Sequence, residues 1–427
     1  MIILKYREVT LLMKDLITNF NERYLSKKEI EYRVPNNTDL NEFWNKLMDM
    51  RRLTKIEIPL IDQSSLNFWF NLNNEIINNI EKIDNSATED LFNAVPMDLE
   101  VSVIADALID EAFNSSVIEG AFSTKRRTKE MIEKHLEPSN KSEKMIMNNY
   151  RALLYINDHL DETLDENIVL SIYGILTQDT LNDDDIVEKY RTDAVYVWDS
   201  KSNKVTYTAP IYLQVQDLMN SLLDFINSNN NYHPVTKACI IHFYFVYIHP
   251  FFDGNGRTAR AVSYMYLLQN GYKFFKFFSI SSVINEEKNR YYDAIENTEE
   301  YGSDMTYFIK YYSSMIVRSI SKIKNNFRKE FGRKLIKNVL EKAGIILEKR
   351  QKNIVNHFIT IDKKFITIDE YQKKFKISYE TARTDLLELE TIGFFKKSKK
   401  GKKYIFIFND FNDIIKNIQN NFIDFIE

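Results

Sequence analysis

Cysteine is almost missing: the 427-residue chain has one, Cys239. No disulfide can form within the chain, which suits a reducing compartment. Glycine and proline are scarce, at 10 and 7 residues. That argues against a turn-rich, all-β architecture and favours helices. Long apolar runs are lacking too, and none reaches the length of a membrane span. The first residues, Met1-Ile2-Ile3-Leu4-Lys5-Tyr6-Arg7-Glu8, are interrupted by charge too often for a secretory signal. The expected location is therefore the cytoplasm, with no membrane partner. A strong charge of either sign is absent: the net charge of −4 argues against whole-chain nucleic-acid binding. No Cys/His spacing suits zinc. The chain is 44% hydrophobic, enough for two or three domains with their own cores. Cys239 falls within an apolar helical stretch, where a small buried hydrophobe is expected.

The densest chemistry lies in His249-Pro250-Phe251-Phe252-Asp253-Gly254-Asn255-Gly256-Arg257-Thr258-Ala259-Arg260. Before it, Pro234 to Ile248 is apolar at helical spacing, with proline at a first helical position. After it, Arg257 to Gln269 is again helical and Asn270-Gly271 is a stop signal. Gly254-Asn255-Gly256 therefore sits in a tight loop that opens a helix. Glycines permit close backbone approach, and N–H groups at a helix start form an anion site. Arg257 and Arg260, three apart, share one face near that positive end. Two arginines beside such a nest suit a polyphosphate. Asp253 is placed to hold Mg²⁺, which takes one or two carboxylates and completes its shell on phosphates. His249 can accept a proton from an attacking hydroxyl. In outline this is a nucleotidyl-transfer site.

The same stretch matches every defined position of the Fic signature, His-x-Phe-x-(Asp/Glu)-Gly-Asn-Gly-Arg-x-x-Arg, and so resembles that family. The resemblance implies transfer of AMP from ATP, with Mg²⁺, to a Ser, Thr or Tyr hydroxyl of a target protein or of the chain itself. It implies His249 as the base and Asp253 as the Mg²⁺ ligand. Gly254, Asn255, Gly256 and Arg257 would hold phosphates, and Arg260 would grip the γ-phosphate. Death-on-curing relatives have lysine where this chain has Gly256, and they transfer phosphate; glycine favours AMP transfer. Upstream, Asp98 to Glu119 reads as a helix ending at Gly120. A glutamate at a helix's negative end is unfavourable by itself. Ser115, Glu119 and Gly120 are similar to the family's inhibitory motif, (Ser/Thr)-x-x-x-Glu-(Gly/Asn). By that resemblance Glu119 pairs with Arg260 in the γ-phosphate's place. Inhibition is lifted when it leaves, and the same glutamate could orient water for removal of AMP.

Glu188 to Trp198 is rich in β-branched and aromatic residues, Asp199 to Lys204 is a polar turn, and Val205-Thr206-Tyr207 can return as a second strand. A hairpin over 189–209 is expected. Fic proteins carry a flap here that holds the target by strand addition. Tyr190, Arg191, Val195 and Val197 are the candidate docking residues, with a structural hairpin as the alternative. Tyr291 and Tyr292 suit either an adenine contact or core packing.

The remaining chain divides into an N-terminal helical region (1–95), the Fic domain (96–320, with the inhibitory helix at 98–120), a basic helical connector (321–343) and a C-terminal domain (344–427). In the N-terminal region Asp39 is a plausible cap, Ser64 is expected to open a helix through Phe68-Trp69-Phe70 to Ile80, and Asn85 to Thr88 reads as a loop. In the C-terminal domain, Phe365-Ile366 reads as a strand, Thr367-x-x-Glu370 as a capping box, and Ser378 as a second cap. Strand-like Phe394-Phe395 and Tyr404 to Phe408 flank six lysines. This looks like a winged helix, an arrangement that occurs in other bacterial Fic proteins. Thr381, Arg383 and Thr384 would form its recognition face, and Lys399, Lys400 and Lys402 would reach phosphates. Residues 344–427 hold 16 Lys+Arg against 12 Asp+Glu, 16 − 12 = +4. That modest charge fits a DNA contact and a protein-binding module alike, and a second copy of the chain is a further candidate partner. The expected fold is thus mainly α: a Fic helical core with a β-hairpin flap and a small α+β winged-helix domain. The expected function is an autoinhibited protein adenylyltransferase. The alternative is a DNA-binding transcriptional regulator whose Fic domain senses nucleotide.

Overall fold

A computed structural model describes residues 15–36, 38–88, 97–199, 204–360, 364–400, 403–409, 413–414 and 416–418. Its contacts separate two compact units, Met1–Ile320 and Ser321–Glu427. Helices dominate both, as a chain poor in glycine and proline should have.

In the first unit, Ser26 opens α1 (Lys27–Glu31) with both halves of a capping box. Asp39 caps α2 (Leu40–Leu53) by accepting from the N–H groups of Asn41 and Glu42. The next segment departs from the sequence reading. β1 (Ile56–Ile61) and β2 (Asn67–Phe70) pair antiparallel where Ser64 was expected to start a helix. Three consecutive aromatics, Phe68-Trp69-Phe70, favour pleated backbone. The alternation of buried and exposed residues in β1 runs through Pro59, which disguises it in the sequence. The helix starts later, as α3 (Asn74–Thr88), and absorbs the expected loop at Asn85 to Thr88.

These elements are fastened by a buried arginine. Arg51 donates to the Tyr307 hydroxyl at 2.6 Å and the Leu25 carbonyl at 2.9 Å, and its guanidinium lies 3.9 Å from the Tyr24 ring centre. Tyr24 in turn donates to Asp304 at 2.6 Å. The N-terminal segment is thereby tied to residues over 250 positions away.

Next come α4 (Met97–Ile118), α5 (Lys125–Glu133), α6 (Lys141–Asp158) and α7 (Glu166–Thr177). A hairpin of β3 (Tyr196–Asp199) and β4 (Lys204–Thr208) leads to α8 (Val215–Asn227). α9 (Pro234–Ile248) is buried along almost its whole length, as expected of a helix apolar on all sides. It packs against α10 (Asn255–Gln269), and this pair is the centre of the unit. α11 (Ser281–Glu286), α12 (Lys288–Glu300) and the part of α13 (Thr306–Lys342) up to Ile320 complete it; the rest of α13 belongs to the second unit.

The second unit contains α14 (Lys349–Thr360), β5 (Phe365–Thr367), α15 (Ile368–Phe375), α16 (Tyr379–Ile392), β6 (Phe395–Lys400) and β7 (Lys403–Phe408). Its sheet is antiparallel with the order β5-β7-β6. Ile354, Phe358, Leu386, Leu389 and Phe406 build the core. The Thr367–Glu370 capping box and the Ser378 cap are both formed. Asp385 faces inward, where Arg350 pairs with it and the Tyr371 hydroxyl donates to it. Among the described residues no helix is long and apolar enough to cross a membrane.

Candidate active site

The site begins where α9 stops. His249 caps that helix in left-handed backbone, φ 52° and ψ 59°, a conformation that costs a residue with a side chain about 1–2 kcal/mol. Its Nδ1 lies 3.3 Å from the Val246 carbonyl. That contact makes Nδ1 the N–H donor and leaves the lone pair on Nε2. Burial pushes the imidazole down to about 4, against the opposing pull of the Val246 carbonyl. His249 is thus neutral, and able to accept a proton, near pH 7.

The following turn is closed by one side chain. Asn255 Oδ1 accepts from the Phe251 N–H at 2.9 Å, and its Nδ2 donates to the Phe251 carbonyl at 2.7 Å. Asn255 therefore offers a ligand its backbone N–H rather than its amide. Phe251 is buried and stacks on Tyr173, with ring centres 3.5 Å apart. Gly254 has φ 87°, and a Cβ there would lie 2.8 Å from the Thr177 methyl, so conformation and space both demand glycine. The first N–H groups of α10 have no partner within the helix and point toward the loop.

Two buried arginines border this nest. Arg257 Nη1 donates to the Leu176 carbonyl at 3.0 Å, but its Nε and Nη2 make no hydrogen bond. Asp253 Oδ1 is 3.5 Å from that Nη2 and accepts the Gly254 N–H. Arg260 Nε donates to the Ser115 hydroxyl at 2.8 Å. Its Nη2 donates to the Ser115 carbonyl at 2.9 Å and to Glu119 Oε1 at 2.8 Å, while Nη1 has no partner. Buried donors left open cost free energy until an anion meets them. They fit the residues to a phosphate-bearing ligand.

Glu119 follows the last residue of α4. Gly120, at φ 92°, and the bonds from Gly120 N to Val117 O and from Ala121 N to Ser116 O form a Schellman end. Burial opposes the Glu119 charge. Arg260, then Arg257 and Lys288, outweigh it and hold the carboxyl below the usual glutamate range. Gly256 is part of the fit, because a Cβ there would stand 2.2 Å from Glu119 Oε1.

Among the described residues no three His, Cys, Asp or Glu side chains cluster as a metal site. Asp253 is a single carboxylate, 43% exposed, beside the phosphate nest. That donor set fits Mg²⁺ arriving with phosphates, not an ion held by protein alone.

The four docking candidates of the hairpin region fall in different surroundings. Tyr190 and Arg191 precede β3 and are buried, 8% and 2% exposed, so neither forms a docking face. Tyr190 donates to Glu166. Arg191 donates to the His249 carbonyl at 2.8 Å and the Asp193 carbonyl at 2.9 Å, and also to the carbonyl of Pro210. It braces both ends of the hairpin against the backbone of His249. Val195 is half-buried, and its carbonyl accepts from Ala209. Val197 pairs with Tyr207 across the hairpin, and its side chain lies outside the described residues. Gln63, in the β1–β2 turn, donates to the Thr208 carbonyl at 2.9 Å. No local sequence signal marks that contact. Tyr291 is core, bonded to His242 at 2.9 Å, while Tyr292 is 44% exposed.

In the second unit Arg383 and Thr384 are exposed on α16, with Arg383 3.3 Å from Glu380. Thr381 is half-buried and bonded to Ser378. Lys399 is exposed on β6, Lys400 belongs to the same strand, and Lys402 lies outside the described residues.

Residues 163–267 match the family model described as Fic/DOC family. The chain is 27% identical over 224 residues to a protein adenylyltransferase Fic of Nematostella vectensis, covering 51% of this chain and 49% of that one. It is 30% identical over 174 residues to one of Drosophila willistoni, covering 39% and 33%. The chain thus spans half or less of the length of these relatives. A Fic family protein from Desulfovibrio desulfuricans G20 shares the fold at TM-score 0.52 and 17% identity, over 80% of this chain and 98% of that one. So does Fic-1 from C. elegans, at 0.51 and 17%, over 74% and 85%. The motif, the loop it builds and the family match agree: the chain carries a Fic domain.

Proposed function

We propose that this chain is a protein adenylyltransferase restrained by its own Glu119. The observation that carries the reading is the Glu119–Arg260 ion pair of 2.8 Å beside open donors on both buried arginines. The arginines are arranged for an anion, and a carboxylate of the chain occupies one of them. In the proposed reaction the α10 N–H nest, Arg257 and Arg260 bind the ATP phosphates. His249 Nε2 takes the proton of a Ser, Thr or Tyr hydroxyl on the target. The hydroxyl oxygen bonds to the α-phosphorus, and pyrophosphate leaves with the electrons of the broken P–O bond. Mg²⁺, held by Asp253 and the phosphates, would supply charge neutralisation. With Glu119 on Arg260 the γ-phosphate has no seat, so ATP binds without the α-phosphate facing the hydroxyl.

The test is labelling with α-³²P-ATP and Mg²⁺, of the chain itself and of lysate proteins. Glu119→Gly is expected to label roughly ten- to a hundredfold more than wild type, the worth of one charged hydrogen bond. Adding His249→Ala should remove the gain, since a general base contributes about 10²- to 10⁴-fold. Normal ATP binding by Glu119→Gly without any labelling would sink the reading.

We further propose that the second unit is a winged helix. Exposed Arg383, Thr384 and Lys399 support a DNA-facing role and, with it, the regulator reading. The neutral His249, its Nδ1 turned to the Val246 carbonyl, favours the enzyme, because a nucleotide sensor needs no base. Retention of DNA in a gel with no label transfer by Glu119→Gly would reverse that order.

A further inference from the structure

The helix that brings Glu119 to Arg260 is gripped on a second side. Glu111, Asn114 and Ile118 lie three and four apart along α4 and share one face. Each is held by residues 279–288. Glu111 accepts from the Ser279 hydroxyl at 2.7 Å and the Ser281 N–H at 3.0 Å. Asn114 Oδ1 accepts from Asn285 Nδ2 at 3.1 Å. At the end of the face, the Lys288 ammonium donates to the Ile118 carbonyl. The Schellman bonds use the carbonyls of Ser116 and Val117, so Ile118 is the next acceptor at the negative end of a 22-residue helix. A lysine there meets both an open carbonyl and the helix dipole. Its position is itself fixed: Glu287, the preceding residue, pairs with Arg318 of α13 and with Arg290, both at 2.8 Å.

We propose that Lys288 is the positioning residue for Glu119, an inference that rests on the reading of Glu119 as the restraint. It touches no reacting atom. Its ammonium completes the cap one residue before Glu119 and adds positive charge near a carboxylate that α4 presents at its unfavourable end. Without it the last turn of α4 frays, and Glu119 leaves Arg260 more often. The grip on Arg260 then depends on a contact made by a different helix, α12, whose first residue is Lys288.

Two measurements on the full-length chain test this: α-³²P-ATP labelling, and hydrogen exchange of a peptide spanning residues 115–122. Lys288→Met should raise labelling and exchange on the order of tenfold, the loss of one charged hydrogen bond. Lys288→Arg, which keeps charge and donor, should stay near wild type. In the Glu119→Gly background Lys288→Met should add nothing, whereas a merely structural role would lower activity there. Exchange across α6 serves as the control for folding; if Lys288→Met loosens it, Lys288→Gln replaces that variant under the same criteria. Strong labelling by Glu119→Gly with Lys288→Met at wild-type labelling and exchange overturns the role of Lys288. Failure of Glu119→Gly to label overturns the restraint itself. Exchange still reports whether Lys288 holds the segment, and unchanged exchange rejects that as well.

Discussion

His249 shows how one backbone angle and one carbonyl set up an imidazole for the proposed role of base. Its left-handed cap turns the ring out of α9, and the Val246 carbonyl selects the tautomer. Burial lowers its pKa to about 4, against about 6.5 for an exposed imidazole. The base is competent when neutral, so activity is present above its pKa and lost as pH falls through it. In Glu119→Gly, which also removes a carboxylate that raises the His249 value, the transfer rate should stay flat from about pH 8 to about 5 and bend down no higher than about 4; an acid limb near about 6.5 would contradict the buried geometry. Glu119 carries the opposite sign of group. Its carboxyl is lowered by Arg260, Arg257 and Lys288 in spite of burial. Its pairing with Arg260 is therefore fully present above the ordinary glutamate value of about 4.3 and is lost only as pH falls through its lower value. Mild acid should not release the restraint, which titration of labelling in wild type checks.

At the scale of elements, Arg191 ties the hairpin to the loop that carries His249. Its guanidinium reaches the carbonyls of His249, Asp193 and Pro210 from a nearly dry position. Arg191→Met would leave those acceptors unpaired and free the flap from the loop. Transfer in the Glu119→Gly background is expected to fall roughly ten- to a hundredfold, with ATP affinity changed by less than about threefold. Single-turnover labelling and nucleotide titration separate the two quantities. A loss confined to ATP affinity would mean that Arg191 serves the phosphate nest instead. The Tyr-Arg pair is visible in the sequence, but its part is not. Read along a strand it looks like a docking surface; folded, it is a brace.

Across the first unit, the N-terminal elements hold to the Fic domain through a polar network, not only through apolar contact. Arg51, Tyr24, Tyr307 and Asp304 are all buried and bonded to one another or to backbone carbonyls. Such a network is unforgiving when one member goes. Arg51→Met should cost roughly 1–3 kcal/mol, because it takes the buried donor away from the Tyr307 hydroxyl and the Leu25 carbonyl. Urea denaturation measures it, and a loss below about 1 kcal/mol would show that water reaches the cluster. The distance in sequence between Arg51 and Tyr307 explains why no local reading could find this joint.

The sequence by itself determined the parts whose physics is local. The Gly-Asn-Gly turn between two helices, the arginines three apart and the capping residues Asp39, Thr367 and Ser378 depend on neighbours a few positions away. Each is found where the spacing places it. The β1–β2 hairpin departs from the helical expectation because Pro59 masks the two-residue period of β1, leaving the aromatic run of β2 as the one local strand signal. Only the tertiary structure decided which groups meet across the chain. It puts Arg191 behind His249 and lets the Glu119 carboxylate into the space that Gly256 leaves open. It also brings Lys288 to the end of α4. The reason is physical: hydrogen-bond partners of buried charges are chosen by packing, and packing joins residues that share no period and no proximity in sequence.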